Sequence, residues 1–173
     1  MRKIIRKEIN MLNKAYEYLL KVIQIVCWII FTVLISVGFF NVLSRFIFHL
    51  GLSWSDELSR FLFIWITFLG SILVNDTYGH MNLDALVTHL SPRKANVVQI
   101  LATTIVLLIM IILTAGSVDV VKMNWDWSSS ALRIPYGFVY SVIPFSFAIM
   151  GIQSVVRLIK IIKNFSKGGE VAI

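Results

Sequence analysis

Charge is scarce in this chain. Of its 173 residues, 14% are Asp, Glu, Lys or Arg, where a soluble domain carries about 25%. That shortage excludes an ordinary water-soluble domain and a disordered chain, because both need ionic surface. Cysteine is scarcer still. Cys27 stands alone, so no internal disulfide can form and a secreted disulfide scaffold is excluded. Val26 precedes Cys27 where lipoprotein processing would need a small residue, so Cys27 reads as a lipid- or helix-facing side chain. The histidines are His49, His80 and His89. None lies deep in an apolar run, so no axial haem pair forms, and no Cys/His spacing suggests zinc. There is no glycine-rich phosphate loop and hence no ATP hydrolysis. No catalytic constellation, internal repeat, low-complexity tract or interdomain linker emerges.

What the chain has instead is apolar length. Apolar residues make up 58% of it, and the mean hydropathy is +0.83. Val22–Ser44, Ala95–Val118 and Ile134–Val156 carry no charge over 23, 24 and 23 residues. About 20 residues suffice to cross a hydrocarbon core. A fourth run, Phe61–Asn75, has only 15. It spans if its helix starts earlier and Arg60 snorkels to the interface. A re-entrant segment there is the alternative, but it would put the two termini on opposite sides. The fold class is therefore an all-α integral membrane protein, one membrane domain over 1–173. Four transmembrane helices are expected near 22–48, 55–75, 92–120 and 134–157.

The net charge of +7 comes from 16 basic against 9 acidic residues. On a soluble chain that excess would suggest nucleic acid, but here it orients the protein in a membrane. Four spans put both termini and the 76–93 loop on one side. That side holds Arg2, Lys3, Arg6, Lys7, Lys14, Lys21, Arg93, Lys94, Arg157, Lys160, Lys163 and Lys167. The other side holds Arg45, Arg60, Lys122 and Arg133. Basic residues favour the cytoplasmic side, so both termini are expected there, with 158–173 as a basic cytoplasmic tail. Trp54, Trp125, Trp127 and Tyr136 would mark the outer boundary, and Tyr16, Tyr18 and Tyr78 the inner one. The first apolar run is too long, and lacks a small-x-small site, for a cleavable signal.

Two further pieces are amphipathic. Ile5, Ile9, Leu12, Tyr16, Leu19 and Ile23 recur in steps of four and three, beside a polar stripe from Lys3 to Gln24. Such a pattern over 1–21 predicts an interfacial helix whose lysines meet anionic lipids, or a helix that docks on a partner subunit. Leu83, Leu86, Val87 and Leu90 share a helical face, which predicts a short in-plane cytoplasmic helix between spans two and three. Ser91-Pro92 then reads as a cap with proline at the first helical position.

Polar residues gather at span ends. Ser53 is a plausible cap for span two, with Asp56 three residues on. Arg60 lies four residues after Asp56 and three after Glu57, so either carboxylate can pair with it. Arg45, near the end of span one, could reach the same acids. Pro144 removes a hydrogen bond to the Tyr140 carbonyl and should kink span four. Thr32 and Ser36 allow close helix approach in span one. Spans one, three and four hold no acid or base at their centres. A transport site built from paired broken helices is therefore not expected within this chain.

These residues are ordered as in a known family. Asn41-Val42 with Arg45 ends span one, and Trp54-Ser55-Asp56-Glu57 with Arg60 opens span two. Gly70 lies within it. Gly79-His80 with Asp84 falls in the inner loop, and Ile134-Pro135, Tyr140 and Ile143-Pro144 mark span four. Over roughly 20–160 the chain resembles the small permease (DctQ-type) subunit of tripartite ATP-independent periplasmic (TRAP) transporters. The resemblance implies a site-free, non-enzymatic scaffold in the bacterial cytoplasmic (inner) membrane. Its partners would be a large permease (M) subunit holding the substrate and sodium sites, and a periplasmic substrate-binding protein. No cofactor or metal is implied in this chain. Substrates of such systems are mostly organic acids, including C4-dicarboxylates and sialic acids. It also implies structural or partner-contact roles for Asn41, Arg45, Trp54, Asp56, Glu57, Arg60, His80, Asp84 and Pro144. Two other classes stay open on the residues alone: a membrane anchor or haem subunit of an oxidoreductase, and a free-standing homo-oligomeric membrane protein.

Overall fold

The computed structural model describes residues 2–49, 51–78 and 92–166. Among them there are five helices and no strand, only an isolated bridge between Ser128 and Pro135. The helices are α1 (Arg2–Ile47), α2 (Ser53–Tyr78), α3 (Pro92–Met123), α4 (Tyr136–Tyr140) and α5 (Val142–Ser166). Four stretches are long and apolar enough to cross a membrane: Lys14–Ile47, Ser53–Thr77, Lys94–Met123 and Tyr136–Lys163. Their number is that of the expected spans, and each overlaps one of them. Helix is the form such segments must take, because hydrocarbon offers backbone amides and carbonyls no partner.

The first difference from expectation lies in α1. The amphipathic 1–21 segment is not a separate element. It runs into span one as a single 46-residue α-helix, about 69 Å long at ~1.5 Å per residue. The first glycine is Gly38 and the first proline Pro92, so nothing in the sequence breaks the helix at its junction with the span. Along this stripe Tyr16 is half-buried, Leu19 exposed and Ile23 buried. The in-plane helix expected over 82–90 lies outside the described residues, as do the Ser91 cap, His80 and Asp84. Pro92 does open α3, where its missing amide costs no helical hydrogen bond.

The chain divides into two compact units, residues 1–73 and 74–173. Within the first, Ile23, Ile30, Phe61, Leu69 and Ile72 are buried. After α1 the backbone turns left-handed at His49 (φ 53°), an uncommon conformation that ends a helix by redirecting the chain. Phe48 still donates its amide to Ser44. Ser53 is itself the first helical residue of α2, so it is not the cap. The hydroxyl that meets the preceding backbone is that of Ser55, 3.0 Å from the Leu52 carbonyl oxygen.

Within the second unit α3 packs along α5, and the short α4 contacts both. Gly151 of α5 faces Met110 of α3, and a Cβ there would sit 3.8 Å from the Met110 Cβ. Span four breaks where Pro144 demands it. α4 stops at Tyr140, the residue whose carbonyl would have accepted the amide that Pro144 lacks, and Ser141 separates it from α5. Ser141 turns both its amide and its hydroxyl onto the Phe138 carbonyl. α5 then runs beyond the expected end at 157, to Ser166. Leu158, Ile159, Ile161 and Ile162 continue its helical pattern, and no glycine intervenes before Gly168.

The connector from α3 to α4 closes on itself. Ser129 and Ile134 exchange bonds: the Ser129 amide gives to the Ile134 carbonyl, and the Ile134 amide to the Ser129 hydroxyl. Tyr136 donates to Trp127, and Gly137 to Asn124. Gly137 is required by space, since a Cβ would lie 2.8 Å from the Trp125 Cα and 3.0 Å from the Val121 carbonyl oxygen.

Candidate partner interface

The residues singled out at the α1–α2 connector do meet, though not as an ion-pair cluster. The Asn41 side-chain amide donates to an Asp56 carboxylate oxygen at 2.8 Å. That bond joins α1 to the first turn of α2, where a carboxylate also complements the helix dipole. Asn41 Oδ1 is buried and has no hydrogen-bond partner among the described residues. Glu57 and Ser44 are buried, and Trp54 is exposed at the start of α2. Arg45 and Arg60 are both exposed. Among the described residues neither makes an ion pair; the described salt bridge is Asp119–Lys122 at 3.7 Å. The expected pairing of Arg60 with Asp56 or Glu57 is not seen among the described residues; Asp56 accepts instead from Asn41, a bond that ties two helices rather than two turns of one. Both Asp119 and Lys122 are largely in the open, so their pair adds little stability.

A second polar cluster was not foreseen. The Asn75 side chain donates to Gln153 Oε1 at 2.5 Å. The Arg157 guanidinium donates to the Asn75 carbonyl oxygen at 2.9 Å. That carbonyl is one of the last four of α2, which no helical amide can satisfy. Arg157, counted above only for its charge, therefore caps α2 from α5. The signal in the sequence was Gln153, a buried amide within a span, which needs a partner in hydrocarbon.

Elsewhere the spans turn their polar groups inward upon themselves. Thr32, Ser36, Thr67, Ser71, Thr104, Thr114 and Ser154 each donate to the carbonyl four residues earlier. Between α3 and α5 lies an open groove of about 540 Å³. Its walls include Met110, Ile111, Ala115, Phe147 and Ile152, and the Thr114 hydroxyl in it is bonded to Met110. Among the described residues no group of His, Cys, Asp and Glu could hold a metal ion.

These features define a class: a multi-pass helical membrane protein many of whose span hydroxyls are spent on its own helices, with the buried Ser146 hydroxyl left without a partner among the described residues. Comparison with known proteins narrows it. Residues 34–164 match the family of the DctQ component of tripartite ATP-independent periplasmic transporters, and the chain belongs to that family. It is 28% identical over 127 residues to a TRAP transporter small permease protein of Haemophilus influenzae, covering 73% of this chain and 77% of that protein. A second protein of that description from the same organism is 27% identical over 130 residues, with 75% and 81% covered. The isethionate TRAP transporter permease protein DctMQ of Oleidesulfovibrio alaskensis is 29% identical over 102 residues. That match covers 58% of this chain but 16% of the relative.

Proposed function

We propose that this chain is the non-enzymatic scaffold subunit of a sodium-coupled importer of an organic anion, working without a substrate site of its own. It sits in the bacterial inner membrane with both termini cytoplasmic, packs against a large permease subunit, and serves a periplasmic binding protein. One observation carries the reading. Hydroxyls along the spans, those of Thr32, Thr67 and Thr114 among them, are bonded to their own backbones, and the α3–α5 groove is walled by apolar side chains; the buried Ser146 hydroxyl, which has no partner among the described residues, is a single group and no cradle for an anion. A carboxylate or sulfonate entering there would lose its water and gain nothing in return. The relative named DctMQ, of which this chain matches a small share, supports a large permease as partner. Its isethionate substrate supports an organic anion as cargo. The lysines of the amphipathic stretch of α1 suit anionic head groups. Asn41, Arg45, Trp54, Asp56, Glu57, Arg60, His80, Asp84 and Pro144 are assigned to holding the chain's own helices or contacting the partner.

The test is uptake and binding together. Deleting the chain while keeping the large permease and binding protein should abolish uptake, and the isolated chain should show no calorimetric binding of the transported anion. Saturable binding to the isolated chain would make it a transporter in its own right. Reporter fusions should place Asn96 on the cytoplasmic side and Ser129 on the periplasmic side; the same side for both would overturn the orientation.

A further inference from the structure

Two exposed helix faces of the same periodicity differ in chemistry. On α3, Leu101, Ile105, Leu108 and Ile112 recur in steps of four, three and four, all more than half exposed. On α2, Asp56, Arg60, Phe63 and Thr67 recur in the same steps, and all are exposed. The α3 face is wholly aliphatic, which suits lipid tails. The α2 face carries a carboxylate, a guanidinium, an aromatic ring and a hydroxyl. The carboxylate and the hydroxyl are bonded within the chain, to Asn41 and to the Phe63 carbonyl, but lipid tails offer no partner to the guanidinium.

Arg60 is the telling member. Its span is Ser53–Thr77, so its Cα lies about 7 Å inside the edge of a ~30 Å hydrocarbon core centred on that span. A charge at such depth is costly unless paired, and it marks a contact with a named counter-ion. Among the described residues Arg60 makes no ion pair, although Asp56 and Glu57 both lie within one turn of it.

We infer that the Asp56–Arg60–Phe63–Thr67 face of α2 is the seat of a transmembrane helix of the large permease subunit, and that this helix brings a carboxylate to Arg60. The inference rests on the scaffold reading above and adds to it which face docks and by what charge. Charge complementarity selects this occupant. A lipid phosphate is the rival, since a long Arg side chain can snorkel toward head groups. A phosphate, however, can approach only from the head-group side, past the Asp56 carboxylate one turn above Arg60. A carboxylate on a neighbouring helix can arrive at the depth of Arg60 itself. Phe63 and Thr67, further in, then supply packing surface and a small side chain for close helix approach.

The experiment uses the full chain co-expressed with the large subunit. A photo-crosslinking amino acid replaces Phe63 in one variant and Leu108 in another. Cross-linking to the large subunit from position 63 and not from 108 is expected. Cross-linking from 108 alone, or from 63 to phospholipid alone, overturns the inference while leaving the scaffold reading intact. Failure of the two chains to co-purify overturns both. Charge is tested separately. Arg60→Glu should lower recovery of the large subunit about tenfold, while Arg60→Lys keeps most of it. Reversing one membrane-embedded carboxylate of the large subunit to lysine should restore recovery with Arg60→Glu. If no such reversal restores it while the Arg60→Glu chain melts like wild type, the counter-ion is not a carboxylate of that subunit.

Discussion

The two connectors of this chain on either side of the α2–α3 pair solve the same problem differently. Between α3 and α4, backbone and side chain close on each other: Ser129 with Ile134, Tyr136 with Trp127, Gly137 with Asn124. Between α1 and α2, the closure is partial. Asn41 holds Asp56 by one side-chain bond, Asn41 Oδ1 has no partner among the described residues, and Arg45 and Arg60 stand exposed. The difference teaches where a small membrane subunit completes itself and where it leaves room. A connector with its hydrogen bonds satisfied is a finished structural element. One that leaves cations unpaired near lipid is stable at a cost that a neighbour can remove.

The contrast can be broken most severely in the closed connector. Gly137→Ala places a Cβ 2.7 Å from the Trp125 ring and 2.8 Å from its Cα. A ring can swing away, but backbone cannot, so the connector must open. Overpacking of this kind costs about 1–3 kcal/mol. Thermal unfolding of the purified chain in detergent should show a clear drop in Tm. Gly151→Ala is the control, because its Cβ would meet only ordinary contact at 3.8 Å. Equal melting of the two variants would mean that the Trp125–Gly137 approach is not a constraint.

A somewhat smaller loss is expected at the polar cluster of the second unit. Gln153→Leu removes the acceptor of Asn75 and leaves its part-buried side-chain amide unpaired. Leaving a buried donor without a partner costs about 1–3 kcal/mol. Arg157→Ala strips the carbonyl of Asn75 of its cap and should act in the same direction. Because both bonds share Asn75, the double variant should fall short of the sum of the singles. Strict additivity would show that Asn75 does not couple them.

How much of this was legible follows from what carries each feature. The four spans were, because absence of charge over some twenty residues has few meanings. The break in span four was, because Pro144 removes one particular bond and α4 ends at the residue that bond would have reached. The continuity of α1 was not. The change of face pattern near Val22 looked like a boundary, but an amphipathic stripe and a span share the same helical backbone. The pairing of Arg60 with Asp56 or Glu57 is not seen among the described residues, and spacing along one helix could not reveal that Asn41 of α1 would bond Asp56 instead. Nor could spacing reveal the Asn75–Gln153 contact, whose partners lie 78 residues apart. A lone amide in a span announces that it needs a partner without saying which.

The smallest expected effect is the one that best separates the two connectors. In the isolated chain Arg60→Gln removes a side chain that is exposed and makes no ion pair among the described residues. In detergent the long Arg60 side chain can keep its guanidinium at the head-group layer, so its loss should stay within about 0.5 kcal/mol and the melting curve of the purified chain should barely move. The Asn41–Asp56 bond does not involve Arg60 and should survive. The same substitution in the assembled system should weaken retention of the large subunit, since a neutral amide cannot replace a desolvated cation opposite a carboxylate. A silent variant alone and a defective one in complex is the signature of a surface kept open for a partner. A variant that destabilises the isolated chain as strongly as Gly137→Ala would instead place Arg60 in the chain's own architecture. The two connectors would then differ in geometry but not in purpose.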